Sequence, residues 1–249
     1  MPEMHAHKSH ELYYLISGHR RYLIGHTIYD VTPGDLVVIP RSLLHRTVSP
    51  RPTGYERYVC NFTEERIQTF IQDLGRETFD RLLGCGCLRF PAQISLQVHR
   101  DLQQLEWEVT HRQEGSDAAA LHLLQDVLLC ALRHGTSKEP VHGAGADKIQ
   151  ELTRYIALNY TQPITLGAAA AIACMESTYF SRRFKALTGF GFQEYLTQTR
   201  LQAAEQMLRN TKLPVGEIAE QCGFSGANYF GDVFRRWKGC APSQYRKGQ

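Results

Sequence analysis

The chain lacks the features that mark secreted, membrane-spanning and disulfide-stabilised proteins. Its seven cysteines are an odd number without a Cys-X-X-Cys pair, which favours free thiols in a reducing cytoplasm over a disulfide framework or a metal clip. The first ten residues, MPEMHAHKSH, have no apolar core of the kind a secretory signal needs. The uncharged run 161–175 is too short and too polar to cross a bilayer. We therefore expect a cytoplasmic protein.

Signatures of common enzyme classes are also missing, and the charge is unevenly distributed. There is no Ser/His/Asp order, no glycine-rich phosphate loop and no dinucleotide fingerprint. The net charge is only +3, yet from Asp147 onward 13 Lys/Arg face 8 Asp/Glu, whereas the preceding residues carry 15 against 17. A basic C-terminal part joined to a slightly acidic N-terminal part predicts a polyanion-binding module attached to a second domain.

Short alternating stretches dominate the first sixty residues, and helical periodicity follows. Strands are predicted at 11–17, 21–25, 26–31, 36–40 and 55–62, which indicates a small antiparallel barrel or sandwich. Helices are predicted at 64–74, 95–113 and 117–133, and the last two either pack against the barrel or form a dimer seam. The glycine- and proline-rich stretch 135–146 has linker composition. The predicted domains are 1–134 and 147–249, joined by this linker.

Two segments of the C-terminal part are related at an offset of 50 residues. Aligned, TYFSRRFKALTGFGFQEY (178–195) and NYFGDVFRRWKGCAPSQY (228–245) share a Tyr-Phe pair, a later Phe, a following cation, a Gly and the closing Tyr. Upstream, the second copy has one extra residue. Each copy predicts a short helix, a turn and a longer helix ended by glycine, and Ser225 is a candidate cap for the last one.

Each longer helix is predicted to have a buried face and an open face. The buried faces carry Phe180, Phe184 and Leu187 in the first copy, and Phe230, Phe234 and Trp237 in the second. A helix anchored by aromatics, with polar and basic residues on its other side, is typical of a helix-turn-helix that reads DNA. Between the copies, 192–209 is predicted to be one helix about 27 Å long. That length approaches the ~34 Å between successive major-groove faces.

From about 150 to 247 the sequence resembles the AraC-type family of bacterial transcriptional regulators, most specifically in GFSGANYFGDVFRRWKGCAPSQYR. The resemblance implies an α+β two-domain fold, with an N-terminal cupin-like antiparallel β-barrel and trailing helices before an all-α double helix-turn-helix. It implies a homodimer that binds double-stranded operator DNA sequence-specifically and responds to a small-molecule effector. It implies base-facing positions for Thr178, Ser181, Arg182, Ala227, Asn228, Gly231 and Asp232. It also implies phosphate contacts for Arg183, Lys185, Arg235, Arg236 and Lys238.

The two copies depart from the family pattern in different ways. Glu176 stands where the first recognition helix usually has a capping serine. In the second copy Asp232 occupies a position where basic or polar residues are common, and Gly231 offers no side chain. A carboxylate can accept from cytosine but is repelled by phosphate. We therefore predict that the first unit carries most base readout and the second mainly positions the protein.

The N-terminal part resembles the two cupin motifs, in which three His and one Glu bind a divalent metal. The matching residues are His5, His7, Glu11 and His45, and the first three share one strand face. Such ligands suit Mn, Fe, Ni or Zn. Family members commonly use this domain as an effector sensor without metal, which is the favoured hypothesis. The alternative is a metal-dependent cupin enzyme, a dioxygenase or isomerase, fused to a DNA-binding module. A non-specific architectural DNA binder is disfavoured by the mild charge.

Overall fold

The computed structural model describes residues 9–50, 54–143 and 145–247, and the chain divides into two compact units, Met1–Val141 and His142–Gln249. Within the described residues, no helix is both long and apolar enough to cross a membrane. All seven cysteines are free thiols.

The N-terminal unit contains two antiparallel sheets. Its strands are β1 His10–Ser17, β2 Arg20–Ile24, β3 Thr27–Val31, β4 Leu36–Ile39, β5 His45–Val48, β6 Glu56–Phe62, β7 Cys87–Arg89 and β8 Thr136–Ser137. The first sheet has the order β6-β1-β4-β7-β8 and the second β3-β2-β5. No ladder joins the two sheets among the described strands, so the predicted barrel is not closed. Within the described ranges, the short strand β5 pairs only with β2 and β6 pairs only with β1, which leaves this side of the sandwich open.

Alternation along β1 divides the unit into two cores. Leu12 and Tyr14 belong to a large cluster shared with the helices, whereas Tyr13 and Leu15 pack with Tyr22 in a cluster between the two sheets. Successive side chains of a strand point to opposite faces, so one strand can supply both cores. Antiparallel, half-buried strands with this alternation account for the confirmed cupin-like character of the domain.

The helices of this unit cover one face of the larger sheet. They are a 3-10 turn Glu64–Ile67, α1 Gln68–Leu74, α2 Arg76–Leu83, α3 Ala92–His111 and α4 Ser116–His134. The main apolar stripe of α3 and α4 is buried in the cluster shared with the sheet, and includes Val98, Leu102, Leu124, Val127 and Leu128. Packing against the sheet therefore explains the periodicity of both helices. A second, exposed stripe of α3 carries Leu96 and Trp107.

The first part of the predicted linker is attached to the larger sheet. Thr136 and Ser137 form β8 beside β7, and the backbone N–H of Lys138 donates to the Cys87 carbonyl at 2.8 Å. The Lys138 ammonium and the Arg89 guanidinium both bond the fully buried Asp35 carboxylate. Burial alone would raise the pKa of Asp35, but these donors outweigh it and lower that pKa. A residue 103 positions away thus completes the charge balance of the turn after β3.

The C-terminal unit is entirely helical over its described elements, as predicted. These elements are α5 Ala146–Asn159, α6 Leu166–Ile172, α7 Ser177–Thr188, α8 Phe192–Asn210, α9 Val215–Gln221, α10 Ala227–Lys238 and α11 Pro242–Lys247. The helix pairs α6–α7 and α9–α10 are the two repeats, and α8 connects them. We call α7 and α10 the recognition helices.

Candidate nucleic-acid interface

The duplication seen in the sequence is also a duplication of backbone geometry. The recognition helices each have 12 residues and begin and end 50 positions apart. After α6, the N–H of Cys174 bonds the Ala171 carbonyl and that of Met175 the Ala170 carbonyl. The same two bonds follow α9, with every partner 49 positions later. This is the Schellman arrangement, whose left-handed residue closes the short helix and turns the chain towards the recognition helix.

The first recognition helix is fixed at both ends and along its inner face. The Glu176 carboxylate accepts from the backbone N–H groups of Thr178 and Tyr179 at 2.8 and 3.0 Å, so it caps the helix in place of the usual serine. Gly189, at φ 80°, ends the helix in the left-handed conformation. Phe180 and Phe184 are fully buried, and both contact the Phe192 ring of α8. The inner-face prediction is confirmed.

The outer side of α7 is open. Thr178, Ser181 and Arg182 are exposed, as is Lys185 one turn later. Arg183 is half-buried. Tyr179 is also exposed, so only the phenylalanine of the shared Tyr-Phe pair belongs to the core. Side chains with hydroxyl, guanidinium and ammonium groups therefore cover the surface of this helix that is available to a ligand.

The second recognition helix shares the inner face but not the cap. Phe230 and Phe234 are fully buried, and Phe234 meets the Tyr245 ring of α11 with centroids 5.5 Å apart. The proposed cap at Ser225 is wrong. The helix begins at Ala227, and Gly226 occupies the N-cap without a side-chain hydrogen bond. Glycine has no side chain to accept from the first N–H groups, and these stay open at the helix start.

The outer side of α10 is less basic at its start than at its end. Ala227, Asn228 and Asp232 are exposed and Gly231 is half-exposed, while Arg235 and Arg236 are exposed in the last turn. Lys238 differs from the other predicted phosphate contacts. Its ammonium lies 2.8 Å from the Glu205 carboxylate and 3.9 Å from the Trp237 ring centre, and its side chain is 14% exposed. We therefore remove Lys238 from the phosphate-contact set, because it anchors α10 to α8.

The connecting helix α8 is unbroken over 19 residues, which corresponds to about 28 Å. Near its middle, Arg200 donates to the carbonyls of Tyr160 and Gln162 at 2.7 and 2.8 Å. The turn of the second repeat reaches the same loop, because a Cβ on Gly223 would lie 2.5 Å from the Thr161 carbonyl oxygen. The loop 160–162 is therefore held from two sides. Sequence patterns alone gave no sign of this junction.

The predicted metal ligands are divided by the limits of the described chain. His5 and His7 lie outside the described residues. Glu11 is buried on the inner face of β1, and the Nδ1 atom of His45 lies 2.8 Å from the Leu43 carbonyl oxygen. Within the described ranges no group of three or more His, Cys, Asp or Glu side chains could hold a metal ion. The metal site stays a prediction.

A chain with an effector-type β-domain and two tandem helix-turn-helix units, each with an open polar and basic surface, is a DNA-binding transcriptional regulator. Residues 1–128 match the AraC-like ligand binding domain, and residues 169–248 match a helix-turn-helix domain. The chain belongs to the AraC family.

The chain is also similar to individual proteins. The HTH-type transcriptional activator RhaR of Escherichia coli K12 is 24% identical over 97% of this chain and 86% of its own length. The RhaR of Klebsiella pneumoniae is 26% identical over 98% of this chain and 86% of its own length. The C-terminal domain of the response regulator yesN from Fusobacterium nucleatum is 37% identical, covers 39% of this chain and 95% of that domain, and gives a TM-score of 0.38.

Proposed function

We propose that both recognition helices bind one operator together, and that the N-terminal domain alters this binding when it takes up its effector. The observation that supports the proposal most is the pair of open surfaces on α7 and α10, held by one continuous helix that is slightly shorter than a turn of the DNA duplex. A role in binding rather than catalysis is supported by its similarity to proteins named as HTH-type transcriptional activators.

The first unit is proposed to read most of the bases. Thr178, Ser181 and Arg182 lie on the exposed side of the N-terminal half of α7, and this half of a recognition helix contacts base edges in the major groove. An arginine there can donate two hydrogen bonds to one guanine. Phosphate contacts are assigned to Arg183 and Lys185 in this unit.

The second unit is proposed to position the protein on the duplex. Ala227, Asn228, Gly231 and Asp232 form its base-facing row, and only Asn228 there offers hydrogen-bond donors. The exposed cations of this helix, Arg235 and Arg236, lie in its last turn. Phosphate contacts fix register and orientation without reading sequence directly. The second unit therefore contributes affinity at many sequences.

Selection of bound sites from random DNA by the full-length protein tests the proposal. The expected result is a bipartite site whose two elements lie about 10–11 base pairs apart, with the more strongly specified element assigned to α7. Arg182→Ala should relax that element, whereas Arg154→Ala, which removes an exposed arginine of α5, should leave it intact. Enrichment without any sequence preference would support the architectural DNA binder instead.

Effector response is the second part of the proposal. An effector that binds one geometry of the protein better than another shifts the balance between them. Footprinting with and without candidate effectors should therefore change occupancy or spacing at the selected operator. Metal analysis of the purified protein separates the favoured metal-free sensor from the cupin enzyme, since stoichiometric metal lost in Glu11→Ala would favour the enzyme.

Homodimer formation is proposed through the exposed stripe of α3. Leu96 is 64% and Trp107 38% exposed, and a spacing of eleven residues places them on one side of the helix. Sedimentation of the wild-type protein should give a dimer, and Leu96→Glu should shift it towards monomer. Leu158→Glu, at an exposed leucine of α5, is the matched control. A monomer at all concentrations would contradict the dimer.

A further inference from the structure

Two arginines from different sheets meet around one tyrosine at the open side of the N-terminal sandwich. The Cζ atom of Arg20, on β2, lies 4.1 Å from the ring centre of Tyr55, and that of Arg57, on β6, lies 5.2 Å from it. Arg57 is also 5.9 Å from the ring centre of Tyr13. The two guanidinium groups therefore share a single aromatic environment, which we call the arginine pair.

The positive charge of this pair is not neutralised by an ion pair. Arg20 is 7% exposed and donates from Nε to the Thr47 hydroxyl and from a terminal nitrogen to the Ser49 hydroxyl, both of which are neutral acceptors. Within the described chain neither Arg20 nor Arg57 forms a salt bridge. A buried guanidinium without a carboxylate is costly, and a second cation beside it adds repulsion. Glu11, on the same inner face, offsets at most one of the two charges.

A buried hydroxyl without a partner lies beside the pair. The Tyr13 hydroxyl is fully buried and has no hydrogen-bond partner among the residues that the structure describes, and its ring packs edge-on against Tyr22 with centroids 5.0 Å apart. Burial raises the pKa of Tyr13 to about 12, so the group remains a neutral donor at physiological pH. Buried donors are almost always satisfied in folded proteins, and an unsatisfied one indicates a missing acceptor.

The cluster can be reached from solvent along the edge strand β6. Val59 pairs with Tyr13 across the β1–β6 ladder and is 43% exposed, and Arg57 pairs with Leu15 and is exposed. Cross-strand partners lie on the same face of a sheet, so this inner face continues to the surface at β6. Arg57 therefore lies at the exposed entrance of the sandwich, at β6, whereas Arg20 is buried inside it.

We propose that the effector of this domain carries a carboxylate, bound by Arg57 at the mouth, Arg20 inside it and the hydroxyl of Tyr13. Guanidinium groups present planar pairs of donors that match the two oxygens of a carboxylate, and the phenol supplies a third donor. This inference rests on the proposed role of the N-terminal domain as the effector-binding part. It selects small organic carboxylates over their neutral alcohols and sugars.

Calorimetric titration of the full-length protein with matched probes tests the inference without DNA. The pairs are acetate and ethanol, benzoate and benzyl alcohol, and glucuronate and glucose, each up to tens of millimolar. At least one carboxylate should bind at least tenfold more tightly than its neutral partner, and Arg57→Gln should weaken it by roughly 10- to 100-fold. Failure of all three carboxylates to bind, or equal binding of a neutral partner, overturns the inference.

Arg66→Gln is the control variant for this titration. Arg66 is an exposed arginine of the same unit that lines a separate cavity of about 670 Å³ between β6 and the α3–α4 hairpin. Its replacement should leave carboxylate binding unchanged. Loss of binding in Arg66→Gln with retention in Arg57→Gln would move the site to that cavity and refute the assignment.

Tyr13→Phe separates a binding role from a structural one. Because the hydroxyl has no partner within the described part of the chain, its removal should leave the melting temperature unchanged or raise it, while the affinity for the carboxylate falls severalfold. A lower melting temperature would show that the hydroxyl stabilises the fold, and unchanged affinity would remove it from the site.

The failure of this inference and that of the proposed function are distinguishable. A neutral effector that changes operator occupancy, while no carboxylate binds, would overturn the carboxylate assignment and keep the regulator. Carboxylate binding that Arg57→Gln abolishes, without any effect on operator occupancy, would keep the anion site and overturn the effector response.

Discussion

The two helix-turn-helix units share their inner faces and turns but differ on their outer surfaces. Phe180 and Phe184 of α7 have counterparts in Phe230 and Phe234 of α10, and the backbone bonds of the two turns match one for one. The exposed starts of the helices differ in size, charge and capping. Packing constrains the first set of positions in both copies, while the second set is exposed and is proposed to contact the DNA. The comparison therefore separates what the fold requires from what recognition requires.

The turns also differ in one residue that bears on their rigidity. The left-handed position is occupied by Cys174, at φ 54°, in the first turn and by Gly223, at φ 76°, in the second. A side chain in this conformation is strained by about 1–2 kcal/mol. The first turn tolerates the strain, whereas in the second a Cβ would also collide with the Thr161 backbone.

The largest expected effect comes from replacing the left-handed residue of each turn. Gly223→Ala should destabilise the C-terminal unit by about 3 kcal/mol through strain and collision. Cys174→Gly should change stability by less than about 1 kcal/mol, because relief of strain is offset by the greater chain entropy of glycine. Urea unfolding of full-length protein in a Trp107→Phe background, followed by Trp237 fluorescence, measures both. Similar losses in the two variants would show that the loop contact is unimportant.

The next effect concerns base readout. Arg182→Ala should lower specific operator affinity by roughly 10- to 100-fold, which is about 1–3 kcal/mol, since a bidentate arginine contact has this value. Asn228→Ala should cost less than about threefold. Fluorescence anisotropy with the selected operator provides the measurement, and Arg154→Ala is the exposed control. Equal losses, or a greater loss for Asn228→Ala, would defeat the division of labour between the two units.

The smallest effect concerns the caps. Glu176→Ala should lower the unfolding midpoint of the C-terminal unit, whereas Ser225→Ala should not, because Ser225 does not cap α10. An unchanged midpoint in Glu176→Ala would show that the cap contributes nothing. A loss in Ser225→Ala would restore that serine as a cap.

The pH dependence of the first cap follows from its hydrogen bonds. The backbone N–H groups of Thr178 and Tyr179 lower the pKa of Glu176 below its usual value. A lowered folded-state pKa gives stability that is present above the unfolded pKa of about 4.3 and is lost as pH falls through the folded one. Glu176→Gln should therefore be less stable than wild type at pH 7, and the difference should shrink below about pH 4. If the stability difference between wild type and Glu176→Gln persists in acid, it arises from the shape of the side chain and not from the charge of the carboxylate.

Local periodicity predicted the helices and their buried faces, but not the contacts that join distant segments. The recognition helices, the continuous α8 and the glycine ends followed from spacing, because each depends on residues a few positions apart. The strands β5, β7 and β8 have only two to four residues and carry too little alternation to be seen. The failure of the two sheets to close into a barrel, and the bond between Lys138 and Asp35, both depend on contacts between segments far apart in the sequence. No single stretch of sequence encodes such contacts. The cap predicted at Ser225 was wrong because the N-cap position of α10 is the next residue, Gly226.

The loop 160–162, gripped by Arg200 and pressed by the turn at Gly223, has a consequence for the genes under control. A promoter can trade one letter for another and lose recognition by degrees. We expect a single base pair inserted between the two proposed contact sites to rotate the far groove by about 35° relative to the near one. The two recognition helices, held by the continuous α8, should then lose one of their two contacts. Operators of this regulator should therefore vary in base sequence while the number of base pairs between the two contact sites stays constant.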